Sequence, residues 1–238
     1  MKTRIILDMP FDEYAAYPAW NASKLKALAH SFLAYSCYCS SELSGKTTPA
    51  MEFGKAVHAK MLEGIEPTGK SAPEVIKACT MLGRNGEAAR LFTGNVDTEL
   101  TIIWEDKVWG ECKARLDAYN HDLNAIVDLK VMAADNHDPL KFGYSAVKFG
   151  YDLQAAWYKR AIIAAGWKCD KFLFVVLEKG WYDSSVLNAP DGMILAGEDE
   201  ISFARINLEQ GGKDKNSFGG RFPGVYDVEH KLFVPQFR

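Results

Sequence analysis

Residues 117–130, Asp-Ala-Tyr-Asn-His-Asp-Leu-Asn-Ala-Ile-Val-Asp-Leu-Lys, leave the chain little choice of local structure. Apolar alternation on both sides of a polar Asn/His/Asp turn reads as two neighbouring strands. Side chains alternate along a strand, so Asp128 and Lys130 share one face while Leu129 points the other way. An adjacent antiparallel strand can deliver Asp117 to that same face.

The flanking sequence extends this reading. Residues 100–104, 108–119 and 125–132 are strand-like, with a polar turn over 120–124. In the middle strand Val108, Gly110, Cys112, Ala114, Leu116 and Ala118 form a small apolar face. Opposite them stand Trp109, Glu111, Lys113, Arg115, Asp117 and Tyr119. The third strand sets Ala125, Val127, Leu129 and Val131 against Asp128 and Lys130. A short strand is expected from Arg4 to Met9 and a buried one over 171–176. Helices are predicted over 21–40 (started by Asn21 or Ser23), over 49–62 from Pro49 to a stop at Gly64, and over 73–92 with a break at 83–86. Another is predicted over 145–165, and a last over 200–209. Polar loops are expected over 41–48 and 211–220. The order helix, three strands, helix, strand predicts one mixed α/β domain with helical additions at the front.

Composition narrows the function classes. A formal net charge of −3 argues against a protein that coats nucleic acid through bulk positive charge. It leaves room for an enzyme that grips a few phosphates locally while its acids hold metal. The longest apolar runs are far too short to span a bilayer, and Asp8 interrupts the first apolar run too early for a signal peptide. The five cysteines show no metal-binding spacing, with Cys112 and Cys169 reading as buried thiols, so a reducing cytoplasm is the expected setting.

Two carboxylates facing one point favour a hard divalent cation such as Mg2+, with a phosphodiester as a further oxygen ligand. Such a cation neutralises charge at phosphorus and lowers the pKa of bound water. Lys130 could orient or deprotonate the attacking water, or stabilise the developing charge. Two helices add candidates. Gly54 and His58 lie one turn apart, and His58 is either a metal ligand, a partner to one, or an ordinary histidine. Gln154 and Tyr158, one turn apart on the later helix, could contact a phosphate or position the lysine; a boundary amide and a core aromatic are equally natural. Lys113 and Arg115 share a strand face with Asp117 and are the nearest candidate phosphate contacts, Arg115 being preferred. Lys141, Lys148, Lys159 and Arg160 are alternatives.

Taken in order, Gly-x-x-x-His, Asp, Asp-x-Lys and Gln-x-x-x-Tyr resemble the PDDEXK nuclease superfamily. Within it the chain looks most like the RecE-type exonucleases of prophages, the exodeoxyribonuclease VIII-like enzymes related to lambda exonuclease and the RecB nuclease domain. The likeness covers about 51–174, and Asn21-Ala-Ser23-Lys-Leu-Lys resembles a helix start seen near the front of such proteins. It implies a PDDEXK (restriction-endonuclease-like) core, a central mixed sheet flanked by helices. In a single nuclease domain over 1–238, residues 1–48 would be an N-terminal helical extension, 49–177 the catalytic core and 178–238 a C-terminal elaboration. His58, Asp117 and Asp128, with the Leu129 carbonyl, would hold Mg2+, or Mn2+ in its place. Lys130 would be the catalytic lysine, and Gln154 and Tyr158 the RecB-like helix motif; with Lys113 and Arg115 from the strand pattern, Ser23 completes the expected DNA contacts. The sequence departs from the pattern in having Asp128 where many members have Glu, and in lacking a proline before Asp117. The implied activity is digestion of linear double-stranded DNA from a 5′ end, leaving 3′ single-stranded tails for an annealing protein. Relatives form trimeric or tetrameric rings around DNA, so a homo-oligomer in the cytoplasm of a bacterial host, without a membrane partner, is expected. A RecB-like single-strand or endonucleolytic DNase is one alternative; a PDDEXK module that binds DNA or protein without cutting is the other.

Overall fold

The computed structural model describes residues 3–40, 48–132 and 138–211. Most of the expected linker over 41–48, the loop expected over 211–220 apart from Gly211, and the stretch of the C-terminal elaboration over 221–238 lie outside the described residues.

The chain opens with β1 (Arg4–Ile6) and α1 (Phe11–Ala16), which starts directly after Pro10. Helix α2 (Ala22–His30) is capped by Asn21, whose Oδ1 accepts the Lys24 N–H at 2.8 Å. The single helix expected over 21–40 is two. Ser31 takes an extended conformation (φ −171°, ψ 160°), and its Oγ caps α3 (Phe32–Cys39) by accepting the Ala34 N–H. A serine offers the backbone an alternative partner, which is how it turns a helix-compatible run into a corner.

Helix α4 (Pro49–Glu63) follows the expected signals, with Thr48 as cap, Pro49 in the first turn and Gly64 left-handed at φ +68°. Then come α5 (Ala72–Arg84), α6 (Gly86–Ala89) and a single 3-10 turn (Arg90–Phe92), with the break at Asn85, which caps α6. Strands β2 (Val96–Asp106), β3 (Gly110–Asn120) and β4 (Ala125–Met132) form a meander. Helices α7 (Pro139–Lys148) and α8 (Tyr151–Ala164) replace the one helix expected there, because Gly150 at φ +63° breaks it. Strand β5 (Lys171–Glu178) is followed by β6 (Ser184–Asn188), whose SSVLN sequence carries too weak an alternation to be read as a strand. Helix α9 (Asp191–Gly211) is about twice the length expected from 200–209.

Among the described residues the sheet has six strands in the order β1-β2-β3-β4-β5-β6. Only β4 and β5 pair in parallel, joined by the α7–α8 crossover. One apolar layer lies under α8, α2 and α9 and centres on Trp157, Trp104, Leu116 and Phe174. The other lies under α4 and α5 and centres on Phe53, Val57, Leu82, Val127 and Leu129. Cys112 is fully buried, whereas Cys169 is only partly so. Among the described residues no helix is long and apolar enough to cross a membrane.

The sheet splits in its middle. Strands β3 and β4 pair only through Ala118↔Val127, Tyr119↔Ile126 and Asn120↔Ala125, then diverge. Beyond the fork, the edge of β3 is taken over by Trp20, which accepts the Lys113 N–H at 2.7 Å and donates to the Glu111 carbonyl at 3.0 Å. The Trp157 Nε1–H donates to the Lys113 carbonyl at 3.0 Å. The alternation also slips here. Strict period two would keep Leu116 and Ala118 on one face, yet Leu116 joins the α8 layer and Ala118 the α4 layer. The slip is shared by β2, where Glu99 has φ +50° between the paired residues Thr98↔Ala118 and Leu100↔Leu116. A left-handed glutamate inside a strand costs of order 1–3 kcal/mol and is held only where its surroundings over-determine it. It stands directly opposite Asp117.

Candidate active site and metal centre

Asp117 and Asp128 stand at the two branches of the fork. Asp117 Oδ2 accepts the Leu129 N–H at 2.7 Å, so a side chain replaces the missing rung of the ladder. Its other oxygen, Oδ1, lies 3.7 Å from His58 Nδ1 on α4. Gly54, one turn before His58, is not demanded by packing: a β-carbon there would meet Val131 at an ordinary 3.8 Å. Glu99 reaches the same point from β2, ion-paired with Arg115 Nε. His58, Glu99 and Asp117 each offer a ligand atom within 4.8 Å of the others. They line an open cavity of about 850 Å³, together with Ser23, Arg115, Leu129, Lys130 and Tyr158.

Asp128 is the acid set apart from this cluster. It is fully buried, its Oδ1 accepts the Gln154 Nε2–H at 3.0 Å, and its Oδ2 is ion-paired with Lys130. An unpaired carboxylate at that depth would cost several kcal/mol. Val127 and Leu129 on the same strand contribute about 2 kcal/mol each by burial, so β4 could not carry a bare Asp128 cheaply. The pairing with Gln154 and Lys130 makes the position tenable. Lys130 Nζ also lies 4.6 Å from the centre of the Tyr151 ring, a cation–π contact.

The charges follow from this geometry. Burial raises the Asp117 carboxyl; the nearby Asp128 carboxylate raises it further, while His58 lowers it. Burial works against the Lys130 charge, yet Asp128 and Asp117 outweigh it and hold the amine above the ordinary lysine value. Lys130 is therefore an ammonium in the protein as it stands. Burial pushes the Tyr158 hydroxyl well up, so it is a neutral donor at the cavity wall.

Two of the expected DNA contacts differ from expectation. Lys113 is 1% exposed, and its ammonium donates to the backbone carbonyls of Tyr14, Ala15 and Tyr17. It ties α1 to β3 and is closed to a phosphate, because the alternation that put it beside Asp117 takes no account of α1 packing over that face. Arg115 does reach the cavity, but with its guanidinium already engaged by Glu99 and the Met9 carbonyl. Ser23 is exposed at the cavity, and so is Lys55 on α4, a cation with no expected role.

Sequence reasoning missed Glu99 and Lys26. Glu99 was findable: the β2–β3 register that pairs Glu105 with Glu111 places Glu99 across from Asp117, but a strand started at residue 100 stops one short. Lys26 donates to Gln154 Oε1 at 3.0 Å, a contact between α2 and α8 that no local signal announces.

The donor set fits a hard divalent cation. It offers carboxylates and one imidazole with no thiolate, all lining an open cavity, and burial raises the Asp117 carboxyl, a penalty that a cation relieves.

A "Putative exonuclease" from Eubacterium rectale has a similar structure, with TM-score 0.68 at 17% identity over 95% of this chain and 94% of that one. At that identity the likeness shows the shared fold. A phage related exonuclease from Haemophilus somnus 129PT aligns over 85% of this chain and 99% of that one at 13% identity, but with TM-score 0.39 it carries no argument. No curated protein matches the sequence. The family model of the PDDEXK-like domain of unknown function (DUF3799) matches residues 74–210, more than half of the chain. That span includes Asp117, Asp128, Lys130, Gln154 and Tyr158. With its forked mixed sheet between two helical layers, the chain belongs to this family of PDDEXK-like domains.

Proposed function

We propose that the protein is a Mg2+-dependent exodeoxyribonuclease that degrades linear double-stranded DNA. The observation that carries this reading is the fork itself: two strands part just where Asp117 and Asp128 stand, and Lys130 faces the open cavity between α4 and the sheet. Asp117, His58 and Glu99 would hold the cation; Asp128 and the Leu129 carbonyl are the further donors that the resemblance implies. The cation supplies charge neutralisation at the phosphate and an acidified water.

The rest is done by the chain. Asp117 is pinned by the Leu129 N–H, so only one of its oxygens is left to turn toward a ligand. Lys130, an ammonium held by Asp128, stabilises negative charge growing on the phosphate oxygens. Gln154 fixes Asp128, and Tyr158 offers a neutral hydroxyl to a phosphate or water in the cavity. Ser23 and Lys55 meet the DNA backbone at the rim, and Arg115, which lines the same cavity, would be a further phosphate contact.

The finer features rest on the resemblance to RecE-type exonucleases. These are entry at a 5′ end, a 3′ tail handed to an annealing protein, a trimeric or tetrameric ring, and work in a bacterial cytoplasm. Encirclement would let a chain of net charge −3 stay on DNA without bulk positive charge. Digestion of end-labelled duplexes with 5′-phosphate and 5′-hydroxyl ends, resolved by product length, tests cleavage, polarity and exonucleolytic action together. Internal fragments in place of end-derived nucleotides would overturn the exonuclease assignment.

A further inference from the structure

We propose that Lys26 is a positioning residue for this site, fixing Asp128 and Lys130 through the side chain of Gln154; the inference rests on the nuclease reading above.

Lys26 is not among the residues that line the cavity. It projects from α2 across the start of α8, where a β-carbon at position 150 would come within 3.3 Å of its Cγ and Cδ. Its Nζ donates to Gln154 Oε1 at 3.0 Å and lies 5.3 Å from the centre of the Tyr151 ring, whose cloud Lys130 also faces. A glutamine amide is two-ended, and which end faces which neighbour is set by those neighbours. An ammonium can only donate and a carboxylate can only accept. Lys26 therefore takes the carbonyl end of Gln154, which leaves the NH2 end for Asp128 Oδ1 at 3.0 Å. Every link in Lys26–Gln154–Asp128–Lys130 then runs from donor to acceptor and ends on the one carboxylate.

Without the amine, the amide is anchored at its NH2 end alone, by Asp128, and its oxygen loses its donor. Held at one end, the Gln154 side chain is free to swing away from the carboxylate, which leaves Asp128 to Lys130 alone. Burial and the charge of Lys130 pull the Lys26 amine down to about 7, so on the acid side of that value it is purely a donor. Burial is the larger cause, which fits an amine committed to one partner rather than to solvent.

The test uses Lys26→Met, which keeps the aliphatic stem, with Lys26→Arg and Gln154→Ala, assayed on the acid side of pH 7. Lys26→Met is expected to lower kcat by about tenfold to a hundredfold with KM little changed. On a Gln154→Ala background it should add no further loss, because both changes cut the same chain. Lys26→Arg, which still donates, should recover most of kcat. A second readout needs neither DNA nor metal: the Gln154 side-chain amide resonance, identified by its absence in Gln154→Ala. It should move toward the free-amide position in Lys26→Met and return in Lys26→Arg. Losses that multiply in the double variant, or an unmoved amide resonance in Lys26→Met, would overturn the proposal. A wild type with no metal-dependent cleavage would instead sink the nuclease reading and the catalytic half of this inference, while the amide resonance would still decide the positioning.

Discussion

The Leu129 N–H donates to Asp117 Oδ2 at 2.7 Å, so an aspartate side chain closes the sheet at the point where the β3–β4 ladder stops. One oxygen of Asp117 thus serves the fold and the other faces His58, with Glu99 in the same cluster. Asp117→Asn can still accept the Leu129 N–H through its amide oxygen. It should fold normally yet bind Mg2+ or Mn2+ at least about tenfold more weakly by calorimetry. Unchanged affinity would show that the acid is misassigned.

Lys130→Ala removes the ammonium at the cavity and leaves Asp128 buried with Gln154 as its remaining support. Cleavage should fall by about a thousandfold or more. Stability in urea should fall too, by about 3 kcal/mol, since a buried carboxylate loses its counter-charge. DNA binding should persist. Wild-type cleavage by this variant would remove Lys130 from the chemistry; undiminished stability would contradict the buried pair.

The Lys26 amine sits at about 7 in the folded protein against 10.5 in an exposed lysine. Between those values the unfolded chain holds a proton that the folded chain has released, so stability rises with pH across that window. The urea midpoint of the wild type should therefore climb relative to that of Lys26→Met as pH rises from about 7. Parallel curves would show an ordinary, solvated amine.

Lys113 and Lys55 separate fold from DNA contact. Lys113→Met takes a donor from three carbonyls, of which those of Tyr14 and Tyr17 keep a backbone N–H, and should cost about 1–3 kcal/mol of stability. It should leave the salt dependence of DNA binding unchanged. Lys55→Ala should leave stability alone, weaken binding across sequences and reduce the salt slope by about one. The reverse pattern, read by binding titrations at several salt concentrations, would restore Lys113 to the DNA face.

The parts of this molecule visible in its sequence are those set by local pattern. The Asp117 to Lys130 hairpin, the capped start of α4 and its glycine stop all follow from alternation and end signals within a few residues. What escaped was decided at a distance. Ser31 and Gly150 break helices whose periodicity runs on unbroken. Lys113 looked like a site residue because alternation says which face a side chain takes, not what packs on that face. Glu99 fell one residue before the strand expected from 100, and it is itself left-handed, a strain that local propensity argues against and that only its neighbours hold in place. Lys26 depends on α2 meeting α8, and a single chain read in order carries no trace of that meeting.

The most direct test of the central claim is release of nucleotide from linear duplex, set against a closed circle of the same sequence, with and without a chelator. The account predicts release from the linear DNA only, dependent on Mg2+ or Mn2+, and its loss in both Asp117→Asn and Lys130→Ala. Release that continues in the chelator, or at the wild-type rate from Asp117→Asn, would contradict a divalent cation held at the fork.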